Sequence, residues 1–462
     1  MSGPRTVPER SPRVPALAGG AVRPLSLSWF DLRLEVVTDL DSVRAEIAAQ
    51  HEVLDAAHGS CTDRRVTLVI DPHLVERVRA GGAGRPSALV ESFAGWWYET
   101  WPGEGAGRVL ASGEGQEWDH VLLTEDFRSW TVIGAAVEGA AVAVGRLLRE
   151  LIREDLVRRG ALMFHAGAAV LPDGRAVMLP GDAGAGKTSS AVRVAEAGGH
   201  VVATDRLLLL PPGSTGSTGS PGSAGSPGGT GSSGGWWMVG LPSTTRLGAG
   251  AVAALGLACR LVGEAASGRS RPDWLTSLAR SGELSDASLS AGKLSLSNKE
   301  VRTLVGGGFM SAAPLDQIVV LRAQDIAQPE TARLAEPLGA IEDHLLVPDP
   351  AYRTHWLAAR PFREDPVTAR QALGRLVADV PVRQLSWNPA LHCDGSTASL
   401  LGAVLDTTHP GGGCSSGDSA LPSAVALAAD GGADGCAGGS RQSVNQRPAE
   451  RPPGTTSSWR NE

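Results

Sequence analysis

The run Gly181, Asp182, Ala183, Gly184, Ala185, Gly186, Lys187, Thr188, Ser189 contains the residues of this chain best suited to chemistry. A glycine, four residues and then Gly-Lys-Thr is the spacing of a loop that binds nucleotide phosphates. Glycines let the backbone curl until several N–H groups point inward at phosphate oxygens, and a following helix adds its positive end. Lys187 would neutralise the β- and γ-phosphates of ATP, and the Thr188 hydroxyl would ligate Mg²⁺.

Such a loop needs a strand before it and a helix after it. The apolar run Ala176-Val177-Met178-Leu179 is the expected strand, and SSAVRVAEA after the Gly-Lys-Thr is the expected helix, stopped by Gly198-Gly199. In a chain with 59 glycines a chance match is the competing reading, and these flanks weigh against it. Upstream, Pro172-Asp173-Gly174 separates two apolar runs, and Asp-Gly favours a two-residue hairpin turn. Pairing 162–171 with 175–180 around it sets His165 opposite Gly181 or Asp182, at the mouth of the loop. The alternative is a core histidine satisfied by backbone groups. Downstream, His200-Val201-Val202-Ala203-Thr204-Asp205 is an apolar strand ending in a carboxylate. A magnesium-binding or proton-accepting Asp belongs there, in a parallel sheet beside a phosphate loop, unless Asp205 simply ends a strand at the surface.

His165-x-Gly167, GDAGAGKT at 181–188 and GGHVVATDR at 198–206 resemble the catalytic domain of HPr kinase/phosphorylase. The close resemblance spans about fifty residues. It implies a P-loop fold related to phosphoenolpyruvate carboxykinase, with a strand histidine before the loop and an acidic segment after the loop helix. That family carries two adjacent acidic residues in the segment, the first taken as the general base. Here Thr204 holds the first position and Asp205 the second, and the loop ends Thr188-Ser189 where the family has Ser-Glu.

The expected fold class is α/β. A smaller α+β domain at 25–135 would precede an HPr-kinase-like P-loop domain at 136–410, between disordered segments at 1–24 and 411–462. The 462 residues suffice for two or three domains, and 42% hydrophobic with 20% charged residues is ordinary for a soluble protein. A net charge of −7 argues against a general nucleic-acid binder, which needs clustered Lys and Arg. No run has transmembrane length, and the Pro/Arg-rich start lacks a signal-peptide apolar core. Five scattered cysteines without a C-x-x-C pair indicate neither a disulfide framework nor a zinc site, and a reducing cytoplasm fits.

In chain order, 32–36 alternates as a strand and a helix runs from Asp41 to about His58. Val66–Ile70 is a further strand, and Trp96, Trp97, Trp101 and then 118–130 read as a β-layer. The tryptophans suit core and rim packing. From 136 to 159, Val144, Leu147, Leu148, Leu151, Ile152 and Leu156 recur at helical spacing, and the charges between them read as a solvated face. The Gly/Ser/Thr/Pro stretch 211–235 is an expanded loop between neighbouring strands. Lys293 and Lys299 could reach the phosphates or be merely solvated. Residues 315–321, 366–377 and 381–385 are a strand, a helix and a strand.

The expected function is an ATP-dependent kinase moving the γ-phosphoryl group to a hydroxyl on a protein, peptide or small molecule. Lys187 would hold phosphate, Thr188 and Asp205 the Mg²⁺, and Asp205 or His165 would orient the acceptor. The resemblance makes a tailoring or regulatory role plausible, and a homo-oligomer is compatible with it. The rival is a catalytically lapsed nucleotide-binding regulatory or scaffold protein, favoured by Thr204. A third reading, an ATPase driving conformational change, lacks a recognisable arginine finger.

Overall fold

A computed structural model describes residues 24–53, 63–92, 96–103, 107–113, 119–214, 235–263, 272–282, 292–346, 354–355, 357, 362–392 and 396–406. Of the segments expected to be disordered, 411–462 and all of 1–24 except its last residue lie outside them, as does most of the loop at 211–235. The described chain is a mixed α/β protein built on two large sheets. Among the described residues no helix is long and apolar enough to cross a membrane.

The first sheet contains β1 (Leu25–Trp29), β2 (Leu32–Val37), β3 (Glu52–Val53), β4 (Arg64–Ile70), β5 (Ala88–Ser92), β6 (Trp96–Pro102), β7 (Arg108–Ser112), β8 (His120–Thr124) and β9 (Ser129–Gly134), in the order β3-β1-β2-β4-β9-β8-β7-β6-β5. Leu32, Leu34 and Val36 alternate with polar partners because one face of β2 enters the core. Helix α1 (Asp41–Gln50) ends well before the expected His58. His51 turns extended and the chain pairs as β3 against β1, so sheet pairing takes over from helix continuation. Helix α2 (Pro72–Gly82) is started by the Asp71 side chain and Pro72, and its apolar face packs with Trp101.

Helix α3 (Val137–Arg158) lies between the two sheets. Its apolar residues join those of β2, β4 and β9 and also Met163, Leu208 and Val239 of the second sheet in one core. That position overturns the solvated-face expectation. Glu150, Arg153 and Glu154 are all buried, since a helix covered on two sides has too little free surface for its charges. Arg153 answers its burial with two donations to Glu150 Oε2, at 3.1 and 2.6 Å. The β1–β2 turn adds a further tie. Trp29 Nε1 donates to the Gly240 carbonyl at 2.6 Å, and Phe30 packs on Trp237.

The second sheet contains β10 (Leu162–Val170), β11 (Ala176–Pro180), β12 (His200–Ala203), β13 (Arg206–Leu210), β14 (Trp237–Gly240) and, after a small separate hairpin of β15 (Thr245–Leu247) with β16 (Leu294–Leu296), β17 (Gly308–Phe309), β18 (Ala312–Pro314), β19 (Gln317–Ala323) and β20 (Glu330–Arg333). A second small hairpin, β21 (Thr354–His355) with β22 (Phe362–Arg363), precedes its last strand, β23 (Val382–Trp387). The main order is β18-β14-β13-β10-β11-β19-β23-β20, with β12 beside β10. β11, β19 and β23 are parallel, whereas β10 runs antiparallel to β11, β12 and β13. β13 and β14 pair directly, Leu210 against Trp237, so the 211–235 stretch does connect neighbouring strands.

Both faces of this sheet are covered. Phe164, Ala166, Met178 and Ile318 meet the helix Pro366–Asp379 on one side. On the other, the odd-numbered residues of β10 lead from one core to the next. Met163 belongs to the α3 core, and Ala169 belongs to a separate core formed with helix α4 (Lys187–Glu196). Between them on that face stand His165 and Gly167. The gap between the two apolar layers is therefore a property of the strand pattern itself.

Candidate functional site

β11 delivers the chain to the glycine-rich loop 181–186 and α4 receives it. The sequence forces this local geometry. Gly184 and Gly186 adopt φ of +81° and +91°, a region side chains rarely enter. At Gly181 an added Cβ would sit 2.6 Å from the Leu321 carbonyl oxygen. Gly186 is the residue before the first turn of α4, and its space is closed by Trp387, whose Nε1 donates to the Ala185 carbonyl at 3.0 Å. Asp182, Ala183 and Gly184 form the exposed crest of the loop. A side chain at Gly181 or Gly186 would strike Leu321 or Trp387, so the tight curl of the loop against β19 and β23 depends on glycine there.

Lys187 is buried, and its Nζ donates to the carbonyls of Gly181 (2.6 Å) and Asp182 (2.9 Å). The ammonium thus spans the mouth of its own loop. Burial pushes its pKa down to about 8, against the opposing pull of Asp205 and Asp182. Lys293, exposed just before β16, is near enough for its charge to add to that depression. Lys299 lies exposed on the helix Asn298–Val305. Gly167 lies directly beneath α4, where a Cβ would come within 3.0 Å of the Lys187 carbonyl oxygen.

The hairpin register sets Ala166 against Pro180 and Gly167 against Leu179, which carries His165 to the level of Gly181 as expected. Its turn differs from the expectation. Leu171 N donates to the Arg175 carbonyl, Gly174 N donates to the Leu171 carbonyl, and Gly174 has φ +91°. The loop therefore has three residues, Pro172, Asp173 and Gly174, because proline suits a type I turn and glycine closes it. His165 is half-buried rather than a sealed core histidine.

Asp205 reaches the same place by another route than a parallel neighbour strand. β12 and β13 are two halves of one antiparallel partner of β10, interrupted at Thr204 and Asp205. The break frees Asp205 from regular pairing, although its carbonyl still accepts from Ala166 N at 3.2 Å. Its carboxylate sits between His165, Nδ1 to Oδ1 2.9 Å, and Arg206, whose Nη1 donates to Oδ2 at 2.5 Å. Burial alone would push the Asp205 carboxyl up, but the His165 hydrogen bond and the charges of Arg206 and Lys187 outweigh it and hold the group well below the usual carboxylate range. Arg206 Nη1 also lies 3.3 Å from His165 Nδ1, but the shorter contact is to the carboxylate. A carboxylate only accepts and so places the hydrogen on Nδ1; in a neutral imidazole of this tautomer Nε2 is the acceptor.

Thr188 Oγ1 donates to the Thr204 carbonyl at 3.0 Å, which ties the start of α4 to the turn bearing Asp205. The Thr204 side chain is buried. Ser189 is also buried in the first turn of α4. The donor set suits Mg²⁺, a hard cation that commonly takes one or two protein oxygens and completes its shell with water and phosphate. Thr188 and Asp205 supply such oxygens, and among the described residues no cluster of three or more His, Cys, Asp and Glu forms an all-protein metal cage.

Two neighbours of this pair escaped the sequence reading, Arg206 and His344, whose carbonyl accepts from His165 N at 2.9 Å. Arg206 lies within the quoted segment, yet its grip on Asp205 follows only from the strand break. His344 comes from the irregular chain after the helix Pro337–Glu342, with nothing in its neighbours to mark it. No known protein-family model matches this chain, and no curated protein matches it.

Proposed function

We propose that the protein is an ATP-dependent phosphotransferase acting on a hydroxyl acceptor, with a P-loop domain like that of HPr kinase and phosphoenolpyruvate carboxykinase. The observation that carries this reading is the convergence of Lys187 and the His165–Asp205 pair between the two apolar layers on one face of the sheet. The loop amides and Lys187 bind the phosphates of the nucleotide. Lys187 then exchanges its two carbonyl acceptors for phosphate oxygens. Mg²⁺ held by Thr188 and Asp205 would neutralise charge on the phosphate chain.

Asp205 is too weak a base to take the acceptor proton efficiently, since its neighbours stabilise the charged form. It orients His165 instead, as the acid of a His–Asp pair fixes an imidazole tautomer. The acceptor oxygen forms a bond to the γ-phosphorus as the bond from that phosphorus to the bridging oxygen of ADP breaks. The bridging electron pair leaves with ADP, and the hydroxyl proton passes to His165 Nε2. This division of labour accommodates Thr204 where the resembling family has its base.

Incubation of the purified protein with γ-labelled ATP and a cell extract tests the proposal. Label is expected on a protein, peptide or small-molecule hydroxyl. Nucleotide binding with no labelled product would favour the second reading, a catalytically lapsed scaffold, for which Thr204 is the specific observation.

A further inference from the structure

The lane of the sheet next to β10 changes occupant at the phosphate loop. Up to Pro180 that lane is β11; there the loop departs, and the chain around His344 enters in its place. Phe164 and Leu345 form an antiparallel bridge, flanked by His165 N donating to the His344 carbonyl and Leu346 N to the Met163 carbonyl, both at 2.9 Å. This register sets His344 beside His165, and His165 pairs with Arg206 on its other side. Partners directly across a sheet project from the same face. His344, His165 and Arg206 therefore form a row across three strands, while Phe164 and Leu345 pack together on the opposite face.

The row lies in the gap between the α3 and α4 cores, where the nucleotide site has been placed. The His344 imidazole is half-buried and within electrostatic reach of Asp182, Lys187 and His165. Two of those groups belong to the phosphate loop, and the third is assigned to the acceptor proton. The part of ATP that must lie between them is the terminal phosphate.

We propose that His344 is a nucleotide-contacting residue that donates a hydrogen bond to the γ-phosphate and so distinguishes ATP from ADP. The inference rests on the phosphotransferase reading. Burial holds the imidazole below its ordinary range, with Lys187 and His165 adding to the effect and Asp182 and Asp343 opposing it, and a neutral imidazole has one N–H to donate. The strand pairing uses only backbone groups of His344, which leaves the side chain replaceable.

Calorimetric titration of MgATP and MgADP into wild type, His344→Ala and His344→Gln tests it, with melting temperature as a check on folding. His344→Ala should bind MgATP about tenfold more weakly and MgADP within about twofold of wild type, the loss expected for one hydrogen bond to a charged group. His344→Gln, which keeps an N–H donor, should recover most of the ATP affinity. Equal weakening for both nucleotides, or no weakening, overturns the role of His344 while leaving the nucleotide site standing. If His344→Ala does not fold, His344→Gln must bind ATP like wild type, and a selective loss of ATP affinity there would overturn the donor role. A wild-type protein that binds neither nucleotide removes the phosphotransferase reading and this inference together.

Discussion

His165 Nδ1 lies 2.9 Å from Asp205 Oδ1, across the boundary between two antiparallel strands. The contact exists because the partner strand of β10 breaks at Thr204 and Asp205, so the carboxylate swings out of the pairing pattern and reaches its neighbour's imidazole. Arg206 holds the other carboxylate oxygen. An imidazole and a hard anionic oxygen thus stand side by side at the mouth of the glycine-rich loop.

Asp205→Asn keeps the shape of that contact and removes its charge. Phosphoryl transfer should fall at least about a hundredfold, because a metal carboxylate and an oriented base are lost together. ATP affinity should weaken much less, since the loop amides and Lys187 remain. Single-turnover kinetics with parallel binding titrations separate the two effects; full activity in the variant would remove the His–Asp pair from the mechanism.

Lys187→Ala should abolish most of the thermal stabilisation given by MgATP. Without nucleotide the fold should change little, because the hydrogen bonds of Lys187 go to the carbonyls of its own loop. Melting curves with and without MgATP measure both quantities. Equal ATP-induced shifts in variant and wild type would sink the site assignment.

Arg153→Ala removes the guanidinium that holds Oε2 of buried Glu150, and should cost about 3–5 kcal/mol of stability. The double variant Glu150→Leu/Arg153→Met should regain most of that loss, because apolar side chains of similar volume avoid the desolvation of both ions. Denaturant titration of the three proteins decides it. A double variant as unstable as the single one would show that the pair does more than neutralise itself.

His51 is buried, its Nδ1 donates to the Ile47 carbonyl, and burial pushes its pKa down to about 4, with Arg149 adding to the shift and the Ile47 bond opposing it. The unfolded chain therefore binds a proton that the folded chain refuses between pH 6.5 and 4. Stability from this group is present above pH 6.5 and is lost as pH falls through that window. The loss is on the order of 3 kcal/mol. His51→Asn cannot titrate, so the difference in unfolding free energy between the variant and wild type should shift in the variant's favour on acidification. A difference that stays constant from pH 7 to 4 would contradict the assignment.

Local physics made several parts of this protein legible in its residues. The glycine positions around Lys187 and the apolar runs before and after them admit one local arrangement, and the turn at 172–174 carries His165 to the loop by counting alone. The apolar spacing of 137–158 marks a helix, but spacing cannot tell how many sides of a helix will be covered. Two sheets close over α3, so Glu150 and Arg153 are buried partners instead of surface charges. Strand direction is likewise absent from a local pattern: an apolar run ending in Asp205 reads the same whether its neighbour runs parallel or antiparallel. Only pairing with β10 decides that, and the break in that pairing points Asp205 at His165. His344 illustrates the same limit, because its place beside the phosphate loop comes from a lane in the sheet that distant backbone groups fill once β11 has ended.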